Sequence, residues 1–328
     1  MIIHDRINEF FNSKAFTVLT GAMLVVAAFL ETASGSVPQP DAGAGLFFSA
    51  KWSSIASPML STAVNMACVI GIGLLMLALN KVFNFVRSVT FIFASVFYLL
   101  EMSNPFVSSI FNNGTTLCLV LVGGITMLFS SYQDKHSQHS IFLSFAVLAT
   151  ASLFQYAFLF LIPAFLLGFI YMRAMNFKGV LAMLLGLLTP LWIVLGLGIV
   201  DVADFKPFAI DAVWDSLALE QIRMLVVEVA VVALLAIALT IMNLFTIMNY
   251  RLQLRVYNAF FTLMTLLCIA AMSVDYRDMT TFVPTLYLCL SIQVAHAFTL
   301  SNWSYRYIFI IALIVLSVAS CAGNLLVG

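Results

Sequence analysis

A chain of 328 residues that is 63% hydrophobic and only 9% charged cannot clothe a soluble globule, whose residues are about 25% charged. Fourteen basic and fourteen acidic residues leave no net charge, which excludes the basic footprint of a nucleic-acid-binding protein. Lipid removes the shortage of charge, so length reads as one transmembrane bundle over 1–328 rather than two soluble domains.

The apolar runs are continuous rather than alternating, which predicts helices. A helix needs about 20 apolar residues to cross the hydrocarbon core, and only helices or closed barrels satisfy the backbone there. The fold class is therefore all-α and polytopic, with about eleven transmembrane helices. They fall near 15–31, 59–79, 88–103, 114–131, 140–154, 156–172, 178–200, 224–248, 257–273, 282–300 and 307–325.

The leading segment to Lys14 is polar and mildly amphipathic, with Phe10, Phe11 and Phe16 near an interface. Thr32-Ala33-Ser34 would serve as the cleavage region of a signal peptide, but Asp5 and Glu9 spoil a basic leader, and an uncleaved first span is expected. The connector 32–57 opens with Pro38 and Pro40, then offers Leu46-Phe47-Phe48 beside Lys51 and Trp52. Its second half reads as a helix lying on the membrane surface. Asn112-Asn113-Gly114 is turn chemistry ahead of the fourth span. From Ile141 to Met172 the run is too long for one helix and short for two, and Gln155-Tyr156 is the expected turn. Pro190 with Gly186, Gly196 and Gly198 predicts a kinked seventh helix. The connector 201–223 carries Trp214 among five acids and reads as a second interfacial helix.

Loop charge arbitrates the topology. With eleven spans and the N-terminus in the cytoplasm, ten of the fourteen Lys and Arg fall inside: Arg6, Lys14, Lys81, Arg87, Lys135, Arg173, Lys178, Arg251, Arg255 and Arg306. Without a turn at Gln155-Tyr156 the later loops change sides and the asymmetry collapses. The split pair follows, and with it a C-terminus outside and both long connectors as outer loops. Tyr132, Tyr171, Tyr250, Tyr257, Trp303, Tyr305 and Tyr307 then form the cytoplasmic aromatic belt.

Polar chemistry inside the spans is sparse. Glu228 is the one acid clearly within a span, about one turn into the eighth. It faces either a substrate cavity or the outer headgroups, paired with Arg223. Glu101, followed by Ser103-Asn104-Pro105, reads as an acid at a helix end. His296 is expected as a hydrogen-bonded interior residue, and His136 and His139 as members of a solvated loop. Cys68, Cys118, Cys268, Cys289 and Cys321 lie in apolar runs without metal-ligand spacing and read as small buried hydrophobes. No metal site and no resident cofactor is expected from the residues.

Two stretches carry a resemblance. One runs from Leu100-Glu101 through Asn104-Pro105 to Asn113-Gly114-Thr115; the other covers the short-helix pair Ala146 to Tyr156 and Leu161-Ile162-Pro163. Over about residues 15–200 this layout resembles polytopic GT-C-type membrane glycosyltransferases and their relatives. It is also similar to uncharacterised inner-membrane proteins of Bacteroidota. The resemblance implies a bacterial inner-membrane protein of the cell envelope that transfers or polymerises polyprenyl-phosphate-linked sugars at the outer face. It implies catalytic acids in or near the first outer loop, for which Glu31, Asp41 and Glu101 are the candidates, with a divalent metal where a transferase needs one. Lys51 and Arg223 would hold the lipid phosphate, with Glu228 as a further substrate-binding group. Glu31 and Asp41 stand ten residues apart, where such enzymes carry a tight acidic pair.

Two other functions stay open. A transporter or flippase of a lipid or small solute would use Glu228 and a broken seventh helix. A non-catalytic scaffold would sit with other envelope proteins. Membrane lipid is the expected partner in every case.

Overall fold

A computed structural model describes residues 2–34, 57–86, 90–199, 220–274, 279–300 and 307–327. It is 87% helical, with no strand among those residues. The helices are α1 Ile2–Phe11, α2 Lys14–Ser34, α3 Pro58–Phe83, α4 Ile92–Ser103, α5 Pro105–Ser108, α6 Asn113–Ser130 and α7 Gln138–Phe154. After a 3₁₀ turn at Tyr156–Phe160 come α8 Leu161–Tyr171, α9 Phe177–Gly196, α10 Glu220–Ile247, α11 Leu252–Val274, α12 Met279–Leu300 and α13 Tyr307–Val327.

Among the described residues seven helices (α2, α3, α6, α9, α10, α11 and α12) are long and apolar enough to cross a membrane. Four shorter apolar stretches, in α4, α7, the 3₁₀ turn with α8, and α13, coincide with the remaining expected spans. The chain is a multi-pass α-helical membrane protein. The two connectors 35–56 and 200–219, where interfacial helices are expected, lie outside the described residues.

Local chemistry sets the helix ends. Ser57 accepts from the Leu60 amide and Pro58 takes the first position of α3, where a missing N–H costs nothing. Asn84 ends α3 in the left-handed region at φ 53°. Asn112 caps α6 by accepting from the Thr115 amide at 3.0 Å, and Asn176 caps α9 by accepting from the Gly179 amide at 2.7 Å. At the other end of the first span Asn12 Oδ1 accepts from the Thr90 hydroxyl and the Phe91 amide, which ties the α1–α2 turn to the start of α4.

The pair around Gln155 is split as expected. Gln155 is extended, with φ −145° and ψ 116°. Its Oε1 accepts from Asn113 Nδ2 at the start of α6, and the Gln133 amide beyond the end of α6 donates to the Met172 carbonyl that follows α8. So α7 and α8 run in opposite directions along α6. The seventh span is not broken: α9 is one helix through Pro190. The interruption lies in the third span instead. There α4 stops after 12 residues, about 18 Å of helix at 1.5 Å per residue, against a hydrocarbon core of about 30 Å.

Helix α12 is the axis of the bundle. It packs on α4, α5, α6, α10 and α11, and 94% of its apolar window is buried. By contrast 22% of the α9 window is buried. That helix packs on α7, where the α-carbon of Gly186 approaches the Phe142 carbonyl so closely that a Cβ would stand 2.6 Å from it. Small residues at such crossings let membrane helices touch, since lipid supplies no hydrophobic drive between them. The outward face of α9, with Trp192 and Leu188, is exposed as a lipid-facing surface should be. An aromatic cluster of Phe85, Phe129, Tyr257, Phe260 and Phe261 fills the core at the opposite end from the acids discussed next.

Candidate functional site

Three buried carboxylates lie at the end of the bundle where α2 and α4 terminate and α10 begins. The expectation of a single acid within the spans is thus corrected: Glu31 and Glu101 are buried too, at 3% and 0% exposure. The packing of α2 and α13 against α4 is what encloses them, because each acid sits near a helix end and would otherwise meet the interface.

Glu31 is held by the turn after α5. Ser108 Oγ donates to its Oε2 at 2.7 Å and Ser109 Oγ at 3.2 Å, while the Cys321 thiol of α13 approaches Oε1 at 3.7 Å. Glu228 faces the interior. Its Oε1 accepts from Ser103 Oγ at 2.5 Å and from the Tyr287 hydroxyl at 3.0 Å, and Ser320 Oγ lies 3.5 Å from Oε2. Ser320 also donates to the Ser103 carbonyl at 3.1 Å. Neighbouring residues of α13, Ser320 and Cys321, thereby link the two acids. Tyr287 lies within electrostatic range of both Glu228 and Glu101, and Glu31 within range of Glu228. Glu101 is different: neither of its oxygens has a hydrogen-bond partner among the described residues.

The acids gather here because α4 breaks. Pro105 cannot donate a helix hydrogen bond, and Asn104 is extended at φ −127° and ψ 107°. Asn104 Oδ1 caps the single turn α5 by accepting from the Phe106 amide at 3.0 Å. The turn that follows is buried rather than looped into water, with Val107, Ser108 and Ser109 at 0% exposure. Buried irregular backbone needs partners. Asn65 of α3 supplies them, its Nδ2 donating to the Val107 and Ser108 carbonyls at 2.8 and 2.9 Å while its Oδ1 accepts from Thr115 at 2.7 Å. Asn112 Nδ2 donates to the Val107 and Ile110 carbonyls at 2.9 and 3.0 Å.

Beside the break lies a cavity of about 290 Å³ between α4, α10 and α13, lined by Leu100, Val227, Val231 and Leu316 around Glu228 and Ser103. Helix α10 packs on α12 and α13 packs on α4, and α12 and α4 pack on each other. Val227 and Leu316 are exposed on its rim, so the cleft opens sideways toward lipid.

No family model, curated protein or solved structure matches the chain.

The six candidate residues divide accordingly. Glu31 and Glu228 are brought within electrostatic range of each other, and Glu101 is connected to them through Tyr287. Asp41 and Lys51 lie outside the described residues. The backbone of Arg223 belongs to the first turn of α10, and its side chain lies outside the described atoms. Among the described residues no group of three His, Cys, Asp or Glu is arranged to hold a metal.

Residues beyond the sequence expectation complete the site: Ser103, Ser108, Ser109, Tyr287 and Ser320. Helix spacing could not single them out, since Ser and Tyr are common in membrane helices. His296 also departs from expectation. It is fully buried, but neither ring nitrogen has a hydrogen-bond partner among the described residues. The polar chain near it runs past it: Asn243 Nδ2 donates to Gln293 Oε1 at 2.8 Å, and Gln293 Nε2 to Asn258 Oδ1 at 3.2 Å.

Proposed function

We propose that the chain is a transporter of a bacterial inner membrane, crossing eleven times with its N-terminus in the cytoplasm, and that the carboxylate cluster at the α4 break is its substrate and coupling site. The observation that carries this reading is the coincidence of three features at one place. A helix is broken inside the bundle, acids are buried with no basic partner among the described residues, and a cleft opens beside Glu228. Broken membrane helices with polar groups at the break are how transporters build binding sites away from water. A carboxylate in hydrocarbon needs a proton or a cation to balance it. Glu101, unbonded among the described residues, is suited to exchange one. Glu228, fixed by Ser103 and Tyr287, is suited to hold a ligand at constant geometry.

The transferase reading draws on the same region, because Glu31 and Glu101, two of its three candidate acids, are buried at this end of the bundle. The two readings part on access. A transporter must expose its site to both sides in turn, whereas a transferase of lipid-linked sugars works at one face. Ser317 lines the cleft and is buried. Ser317→Cys, in a background with Cys68 and Cys321 replaced by Ala, should react with a membrane-impermeant maleimide in both right-side-out and inverted vesicles. Labelling from one side only would overturn transport and leave the transferase or a scaffold role.

A further inference from the structure

We infer that the cleft between α10 and α13 binds a single-chain cationic amphiphile, entering from the lipid, with its amine-type head at Glu228 and its chain along Val227, Val231 and Leu316. This rests on the transport reading and names the class of substrate.

Four observations converge. The lining is almost wholly apolar apart from Glu228 and the hydroxyls of Ser103, Ser317 and Ser320. The groups acting on Glu228 are three hydroxyls and the acid Glu31, with no basic side chain among the described residues to neutralise it. A cationic head supplies that charge. The two carboxylate oxygens are also unequal. Oε1 takes two short hydrogen bonds, whereas Oε2 takes only the long 3.5 Å approach of Ser320, so Oε2 keeps acceptor capacity. Finally, the volume of about 290 Å³ lies at the lower edge of small-molecule sites, roughly 300–1,000 Å³. It has room for one short chain with its head, not for a two-chain phospholipid. Exposure of Val227 and Leu316 on the rim gives the chain a lateral way in.

The carboxylate end of the cleft explains selectivity. An anionic head would meet Glu228 with Glu31 behind it. A neutral alcohol would gain one hydrogen bond and no charge balance, so it should bind more weakly than the cation.

Equilibrium dialysis of radiolabelled octylammonium, octanol and octanoate against the full-length protein in nanodiscs, with empty nanodiscs as blank, tests this. The expected result is saturable binding of the cation at one site per chain, at least about tenfold tighter than octanol, with octanoate unbound. Glu228→Gln should lose the preference for the cation. Leu316→Trp, which fills the cleft without touching the carboxylate, should lower binding of both cation and alcohol, and Thr189→Ala on α9 should change nothing. Equal binding of the three probes, or a cation preference that survives in folded Glu228→Gln, would overturn the inference. The outcomes separate from those of the accessibility experiment. Two-sided labelling without cation preference removes the substrate class and keeps transport. Cation binding with one-sided labelling keeps the site and removes transport.

Discussion

Helix α6 contains an internal comparison that tests the packing around α12. A Cβ built on Gly114 would stand 2.7 Å from the Thr280 carbonyl oxygen and 2.8 Å from two ring carbons of Pro284. Neither obstacle can rotate away, because one is backbone and the other a closed ring. Gly114→Ala must therefore push α6 and α12 apart, and overpacking of this kind costs about 1–3 kcal/mol. On the same helix Gly123 has nothing within 4 Å of its would-be Cβ. Gly123→Ala should gain about 0.5–1 kcal/mol from reduced backbone freedom. The same chemical change at two positions of one helix should thus differ by roughly 1.5–4 kcal/mol in opposite directions. Helical circular dichroism of detergent-solubilised protein, titrated with dodecyl sulfate, measures both midpoints in one format. Coincident midpoints would refute the close approach of α6 to α12, and with it the enclosure of the site from that side.

The remaining predictions follow from single residues. Asn65→Ala strips partners from two buried carbonyls and the Thr115 hydroxyl; at about 0.6 kcal/mol for a typical membrane hydrogen bond and up to about 1.7, it should destabilise by roughly 2–4 kcal/mol in the same titration. Asn12→Ala removes the acceptor for the Phe91 amide and the Thr90 hydroxyl and should cost about 1 kcal/mol, as loss of a helix cap does, with no effect on cation binding. Gly186→Ala meets the Phe142 carbonyl at 2.6 Å and should loosen α9 from α7, read as faster proteolysis in the 172–177 turn.

The sequence carried most of the helices, because lipid demands long apolar runs and nothing else explains 63% hydrophobic content. It also carried the turn at Gln155, where loop charge decided between one helix and two. It placed the end of α4 at residue 103, where the helix does end, but hydropathy does not register that the turn after it stays buried. It failed at Glu31 and Glu101 for a related reason. An acid near a helix end has the same sequence signature whether it reaches water or is covered by a neighbour, and here α13, almost 300 residues away in sequence from Glu31, does the covering. Pro190 misled in the opposite sense: it suggested a break in α9, whereas the break uses Asn104 and Pro105, whose Asx cap and buried turn depend on Asn65 from another helix.

Glu101 offers the sharpest separation between a structural and a functional acid. Its carboxyl is fully buried with no hydrogen-bond partner among the described residues. Burying a polar group without compensation costs about 1–3 kcal/mol by protein mutational measures. No described residue recovers that cost, so an apolar side chain of similar volume should be tolerated or better. Glu101→Leu is expected to raise stability by about 1–3 kcal/mol, in contrast to Glu228→Leu, which would take away the carboxylate that accepts from Ser103 and Tyr287 and should destabilise. The same Glu101→Leu protein is expected to lose two-sided labelling at Ser317→Cys, since a residue retained at a cost in stability is retained for use. A destabilised Glu101→Leu would mean the carboxyl has a partner that holds the fold, and a stabilised protein with unchanged two-sided labelling would remove Glu101 from the coupling machinery.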